Sequence, residues 1–184
     1  MKKRYLFIIF ILVVKCFSSA CQVYKSPVQN IEENRLRNAV RIHPVHELAY
    51  VRLAQYLEIQ GRYNETFSVL RVGQQRITEA IALVRLEGAL FQRLGLYNDA
   101  YKFYSEQITR HSKEALLYLD RAKLSWRMKK KQLALADALK VITLQPDLFE
   151  AHFLIGVIYS METGPNVLDQ SEKALDAFIS ASEI

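Results

Sequence analysis

Small and apolar residues return along this chain at one fixed interval. Gly61 and Gly95 lie 34 residues apart, as do Tyr63 and Tyr97, and Ala100 and Ala134. Tyr50 and Tyr118, and Gly88 and Gly156, are separated by twice that interval, and Pro44 and Pro146 by three times it. One phase held over so long a stretch predicts repeated supersecondary units that stack, because no unit of this size buries its apolar face alone. Each unit reads as two antiparallel helices, with repeats at roughly 47–80, 81–114, 115–148 and 149–184. Gly61 and Gly95 fall between the two helices, where a left-handed residue is needed and glycine adopts it at no steric cost. Asp147 with Glu150, directly after Pro146, has the spacing of a capping box at the start of the last unit. Asn30 with Glu33 has the same spacing and predicts a helix over 31–43 that closes at His43-Pro44 and caps the N-terminal end. The turn within Met161–Lys173 is about six residues longer than the others, and Gly164-Pro165-Asn166 marks the extra residues as a loop.

Read column by column, the repeat resembles the tetratricopeptide pattern W-x2-L-G-x2-Y, A-x3-F and a closing proline. Its Trp column holds Tyr50, Val84, Tyr118 and His152, and its small-residue column Ala54, Gly88, Ala122 and Gly156. The Tyr column holds Leu57, Phe91, Ser125 and Tyr159. In the second helix the Ala column reads Thr66, Ala100, Ala134 and Ala174, and the Phe column Leu70, Tyr104, Ala138 and Phe178. The closing position reads Pro44, Thr78, Ser112 and Pro146. The Leu column departs in the middle, with Leu53 and Ile155 flanking Glu87 and Arg121. The resemblance covers about residues 31–184 and implies an all-α fold. That fold is a right-handed α-solenoid of about four hairpins preceded by one helix. Gly88 with Ala100, and Ala122 with Ala134, are expected to let paired helices approach, while Tyr50, Phe91 and Tyr104 fill the space between units.

The N-terminal stretch follows another rule. Met1–Arg4 is basic, Tyr5–Val14 is an unbroken apolar run of ten, and Phe17-Ser18-Ser19-Ala20-Cys21 is small and polar. These are the three regions of a secretory signal over residues 1–20, and Lys15 stops the run well short of the roughly 20 residues that span a bilayer. Ser18-Ser19-Ala20-Cys21 resembles the lipobox of bacterial lipoproteins, with Ser18 where that family carries an aliphatic residue. The resemblance implies acylation of Cys21, and Gln22 after it implies outer-membrane sorting. Ordinary cleavage after Ala20 is the alternative and gives a soluble periplasmic or secreted protein. It leaves Cys21 as a lone thiol, since Cys16 departs with the signal. Residues 21–30 then form a tether.

Charge narrows the partner. The formal net charge is +6, but four of the basic residues lie in the first twenty, which contain no acid. From residue 21 onward 21 basic residues face 19 acidic ones, which is no footprint for a phosphate backbone. Arg127-Met128-Lys129-Lys130-Lys131 is the one strong run, and it replaces the turn glycine of the third unit. It reads as a solvated turn or as a contact for anionic head groups or an acidic partner. His43 and His46 straddle a proline, and His111 and His152 come from different units, so no metal site, cofactor site or catalytic residue is expected.

In tetratricopeptide arrays the first helices line a concave groove. Carried over by register, the resemblance places Val51, Gln55, Arg85 and Ala89 there in the first two units, with Gln92. From the last two it places Leu119, Lys123, Trp126, Phe153 and Val157. Apolar floor, amides and two cations suit an extended peptide or a partner helix. Trp126 is the expected hot spot, with packing between helices as its other reading. Val51 and Gln55 do not match the Lys and Asn of the subfamily that clamps acidic chaperone tails. At the C-terminus Leu175, Phe178, Ile179, Ala181 and Ile184 leave a helix apolar on more than one side, an association face for a homodimer or another protein. The expectation is a non-catalytic adaptor, lipid-anchored in a bacterial envelope and holding other envelope proteins. A homo-oligomeric scaffold joined through the C-terminal helix is the alternative.

Overall fold

The computed structural model describes residues 27–161 and 167–182. The signal, Cys21, most of the tether and the Gly164-Pro165-Asn166 loop lie outside them. Among the described residues there are nine helices and no strand: α1 Pro27–Ile42, α2 Glu47–Ile59, α3 Tyr63–Arg76, α4 Ile81–Arg93, α5 Tyr97–Arg110, α6 Ala115–Arg127, α7 Lys131–Leu144, α8 Phe149–Ser160 and α9 Val167–Ser182. α2/α3, α4/α5, α6/α7 and α8/α9 are hairpins, and each helix packs on the next in chain order. The first helices also meet one another closely, α2 with α4, α4 with α6 and α6 with α8, while among the described residues no two second helices bring their backbones as near. Helices close on one side and splayed on the other give the array an inner row of first helices and an outer row of second helices. This is the all-α solenoid that the period implies.

The turn inside each of the first three hairpins repeats with the sequence. Gly61, Gly95 and Lys129 all hold a positive φ, of 71°, 76° and 60°. The amide after each bonds back to the carbonyl of Leu57, Phe91 or Ser125, which closes the helix end with a left-handed cap. Lys129 therefore does the glycine's task with a side chain attached, inside the basic run.

Turns between hairpins carry a second recurring tie. The Tyr50 hydroxyl donates to the carbonyl of Pro44 at 2.9 Å, and that of Tyr118 donates to Ser112 at 3.3 Å. The His152 ring, with its proton on Nε2, donates to Pro146 at 2.7 Å. At Tyr50, Tyr118 and His152, though not at Val84, the Trp column thus offers a polar tip to the closing position six residues earlier.

Three expectations need correction. α1 begins at Pro27, a residue suited to a first helical turn because its missing N–H costs no bond there. Asn30 is thus inside the helix rather than capping it, and the tether is shorter than 21–30. Glu33 instead turns to Arg37 at 2.9 Å and to Arg62 at 2.7 Å. At the other end Leu148, not Asp147, takes the N-cap of α8, where its side chain makes no cap bond. Finally, the space Gly88 leaves is filled by the ring of Tyr104 from within the same hairpin. A Cβ there would lie 2.3 Å from Tyr104 Cζ.

Candidate protein-binding groove

The inner row is held together by charges spaced one residue beyond the repeat. Arg85 of α4 reaches Asp120 of α6 through two bonds of 2.7 and 3.1 Å. Arg93 of α4 holds Glu58 of α2 in the same two-pronged way. Glu47 of α2 accepts from the amides of Ala82 and Leu83 at 2.9 and 3.3 Å. It therefore satisfies the start of α4, which carries no cap of its own. Each tie crosses from one first helix to the next, so the surface is braced across α2, α4 and α6. The bond to Asp120 holds the Arg85 guanidinium in its charged form above its ordinary range, against the opposing effect of burial.

On this surface the expected groove residues separate into three groups. Gln55, Lys123 and Phe153 are exposed, and Val51, Ala89 and Val157 are half-buried. Arg85 and Gln92 are already engaged, Arg85 with Asp120 and Gln92 as donor to the Tyr104 hydroxyl at 3.2 Å. Leu119 is not in the groove. It is 1% exposed and packs with Ala115, Val141 and Ala151, because α8 closes over its column. Trp126 is half-buried and packs against the cluster of Ala122, Ala134, Leu154 and Ile158, so much of its ring belongs to the core between the last two hairpins. Phe153 has the ring of Phe149 stacked on it, with centroids 5.8 Å apart. Both rings are about half exposed.

The outer side holds polar groups that sequence reasoning passed over. Glu87, a departure in the Leu column, is 2% exposed and bonded by Arg71 at 2.9 Å and Gln74 at 2.8 Å from α3. Arg121, the other departure, grips Asp137 of α7 at 2.8 and 2.7 Å and Ser105 of α5 at 2.9 Å. Tyr101 and Tyr118 present their rings to its guanidinium at 5.5 and 5.9 Å. The pair with Asp137 raises the Arg121 pKa above its ordinary range. At the N-terminal end Arg62 bonds Glu65 and Glu33, and Arg37 bonds the same two, which clamps α1 onto α3. The Arg62 guanidinium holds the Glu65 carboxyl below the usual carboxylate range. A visible signal existed for these pairs, since opposite charges recur at fixed offsets of 16 and 35 residues.

At the C-terminal end Leu175 and Ile179 stand on α9 at 59% and 45% exposure. The side chains of Phe178 and Ala181, with the terminal Ile184, lie outside the described residues. Among the described residues no group of three or more His, Cys, Asp or Glu is placed to hold a metal ion, and no helix is long and apolar enough to cross a membrane.

No protein-family profile matches the chain, and no curated protein matches it in sequence. Solved structures do match in shape. A crystal structure of MamA aligns with a TM-score of 0.60 at 16% identity, over 82% of this chain and 85% of that one. MamA from Desulfovibrio magneticus RS-1, from residue 41 to its end, aligns at 0.59 and 14% identity over 93% and 92%. A human IFIT1 dimer bound to m7Gppp-AAAA aligns at 0.60 and 16% identity, over 78% of this chain and 35% of IFIT1. Both are tetratricopeptide-like helical repeat proteins, and the fold of this chain is of that kind.

Proposed function

We propose that the protein is a non-catalytic adaptor that grips a peptide or helix of another protein along its inner row of first helices. The observation that carries this reading is the braced surface itself. Four first helices lie edge to edge, the first three tied by Arg85–Asp120, Arg93–Glu58 and the Glu47 cap, and they expose Gln55, Lys123 and, on the fourth, the stacked Phe149 and Phe153. A rigid surface with an aromatic anchor and polar neighbours recognises a peptide with little loss of its own freedom. The IFIT1 structures hold a capped RNA. In this chain the cations Arg85 and Arg93 of the inner row are neutralised by carboxylates, which favours a protein ligand over a phosphate backbone.

The N-terminal signal and Cys21 extend the proposal to a lipid-anchored protein of the bacterial cell envelope, acting on other envelope proteins. Crosslinking in intact cells, followed by identification of the captured proteins, tests the adaptor reading. Phe153→Ala with Lys123→Glu is expected to lower capture about tenfold, roughly 1.4 kcal/mol of binding, and unchanged capture would sink the groove. Metabolic labelling with a fatty acid tests the anchor, and Cys21→Ala should abolish incorporation.

A second reading, self-association through α9, is favoured by the exposed Leu175 and Ile179. Among the neighbours, human IFIT1 is described both as a dimer and as a monomeric mutant with two leucines changed to glutamate. Leu175→Glu with Ile179→Glu should turn any dimer into a monomer by light scattering while leaving partner capture intact.

A further inference from the structure

In every complete hairpin described here, three columns of the second helix are buried against their surroundings: Thr66, Leu70 and Gly73 in α3, Ala100, Tyr104 and Gln107 in α5, and Ala134, Ala138 and Val141 in α7. By register α1 is also a second helix, and one period earlier those columns fall on Glu32, Leu36 and Ala39. These three are only half-buried. They form one wall of a cleft of about 430 Å³, which faces Leu48, Ala49 and Arg52 of α2.

The position of the cleft says what shape belongs there. Elsewhere a first helix lies against its own second helix and edge to edge with the next first helix. A cleft between α1 and α2 occupies the equivalent place for a hairpin whose first helix precedes α1. Its floor, Leu36, Ala39, Leu48 and Ala49, offers small and branched apolar groups from two helices, a groove into which the ridge of a third helix fits. Its rim is positive. Arg35 and Arg52 stand there with one carboxylate, Glu32, which lies 3.8 Å from Arg35. Among the described residues Arg52 is in no ion pair.

We propose that this cleft docks one amphipathic helix of another protein, with a seam of small and apolar residues and carboxylates on its flanks, completing the N-terminal end of the solenoid in trans. The site is separate from the Phe153 end of the inner row and does not depend on it. An apolar floor supplies affinity and the two guanidinium groups select the sign of the partner's flanks.

The test uses the full chain in detergent, titrated with a fluorescent synthetic amphipathic helix carrying an Ala/Leu seam and glutamates on its flanks. A twin peptide with lysines for the glutamates is the control. The glutamate peptide should bind, and the lysine peptide should bind at least about tenfold more weakly. Arg35→Glu with Arg52→Glu should invert that preference, a result that loss of folding cannot produce. Ala39→Trp should block both peptides, and Phe153→Ala should change neither. Failure of the glutamate peptide to bind, or binding that ignores the charge reversal, overturns the proposal. So does binding that is lost with Phe153→Ala and kept with Ala39→Trp.

Discussion

The junction between the first and second hairpins and the junction between the second and third occupy the same columns, and each surrounds its buried charge with different material. At the first, Phe67, Phe91, Phe103 and Tyr104 form a chain of tilted rings with centroids 4.8, 5.7 and 6.0 Å apart. One repeat later those columns read Tyr101, Ser125, Asp137 and Ala138. There the centre is the Arg121–Asp137 pair, fixed by Ser105 and enclosed by two tyrosine rings. At the first junction the rings gain from burial of apolar area, which has no required direction, and from modest ring–ring preferences, beside one buried carboxylate, Glu87, that Arg71 and Gln74 bond. The second gains from directed, charge-assisted bonds and is exposed to the cost of a stranded charge. A repeat fold therefore conserves the shape of an interface without conserving its chemistry. The two junctions should respond differently to substitution.

The largest difference is expected at Arg121. Its side chain is 17% exposed and that of Asp137 9%, so Arg121→Met leaves a carboxylate in a nearly dry site. About 3 kcal/mol of stability should be lost, read as a shift in the urea midpoint. Adding Asp137→Leu should recover most of it, because the pair is then replaced by apolar groups of like volume. If the double variant is as unstable as the sum of the singles, the ionic account of this junction is wrong.

Within the aromatic junction Gly88 is the sensitive point. A methyl group there meets the Tyr104 ring at 2.3–2.5 Å, and that ring also packs edge-on with Phe103. Gly88→Ala should cost about 2 kcal/mol through overpacking, despite the better helix propensity of alanine. Gly88→Ala in a Tyr104→Leu background should cost much less. Equal cost in both backgrounds would remove Tyr104 from the explanation.

The turn of the third hairpin offers a smaller effect of opposite sign. Lys129 sits at φ 60° where Gly61 and Gly95 serve the first two hairpins. A side chain in the left-handed region costs about 1 kcal/mol, so Lys129→Gly should raise stability by about that amount. Thermal melting of the single variant decides it, and an unchanged or lower midpoint would mean that the lysine has a compensating contact. Lys130, its neighbour, already has one, with Nζ 5.4 Å from the Tyr101 ring.

These contrasts also mark what was legible in advance. The fold was, because a period of 34 with small residues in two columns permits stacked hairpins and little else. The turn role of Lys129 was legible for the same reason. Glu87 and Arg121 appeared only as departures from a column, since their partners lie on other helices and burial could not be read from either residue alone. The capping box at Asn30 was misread because local spacing competes with tertiary contacts: Glu33 is drawn to Arg62 across 29 residues. Leu119 shows the limit of register. Its column faces inward at Val51 and Phe153 but is sealed by α8 in the third hairpin. Even Ser125, whose buried hydroxyl has no partner among the described residues, sits where the second hairpin carries Phe91. The column marks the place and leaves the chemistry to its neighbours.

The smallest effect separates the junctions by pH. Tyr104 is 1% exposed, and burial pushes its phenol above the ordinary tyrosine range, while the corresponding column one repeat later is Ala138, which cannot ionise. A group whose folded pKa is raised contributes stability that is complete below its unfolded value, about 10, and is lost as pH rises through the folded value. Between pH 7 and pH 11 the native protein should therefore lose about 1 kcal/mol through this residue alone. Tyr104→Phe gives up the hydrogen bond from Gln92, 3.2 Å long, so at pH 7 it should be slightly the less stable protein. Its stability should then fall less steeply above pH 10, narrowing the gap or reversing it. Other tyrosines and the lysines titrate in both proteins and cancel in the difference. Parallel curves for the two proteins across this range would mean that the Tyr104 hydroxyl reaches water in solution, and that the aromatic junction is looser than its ring distances imply.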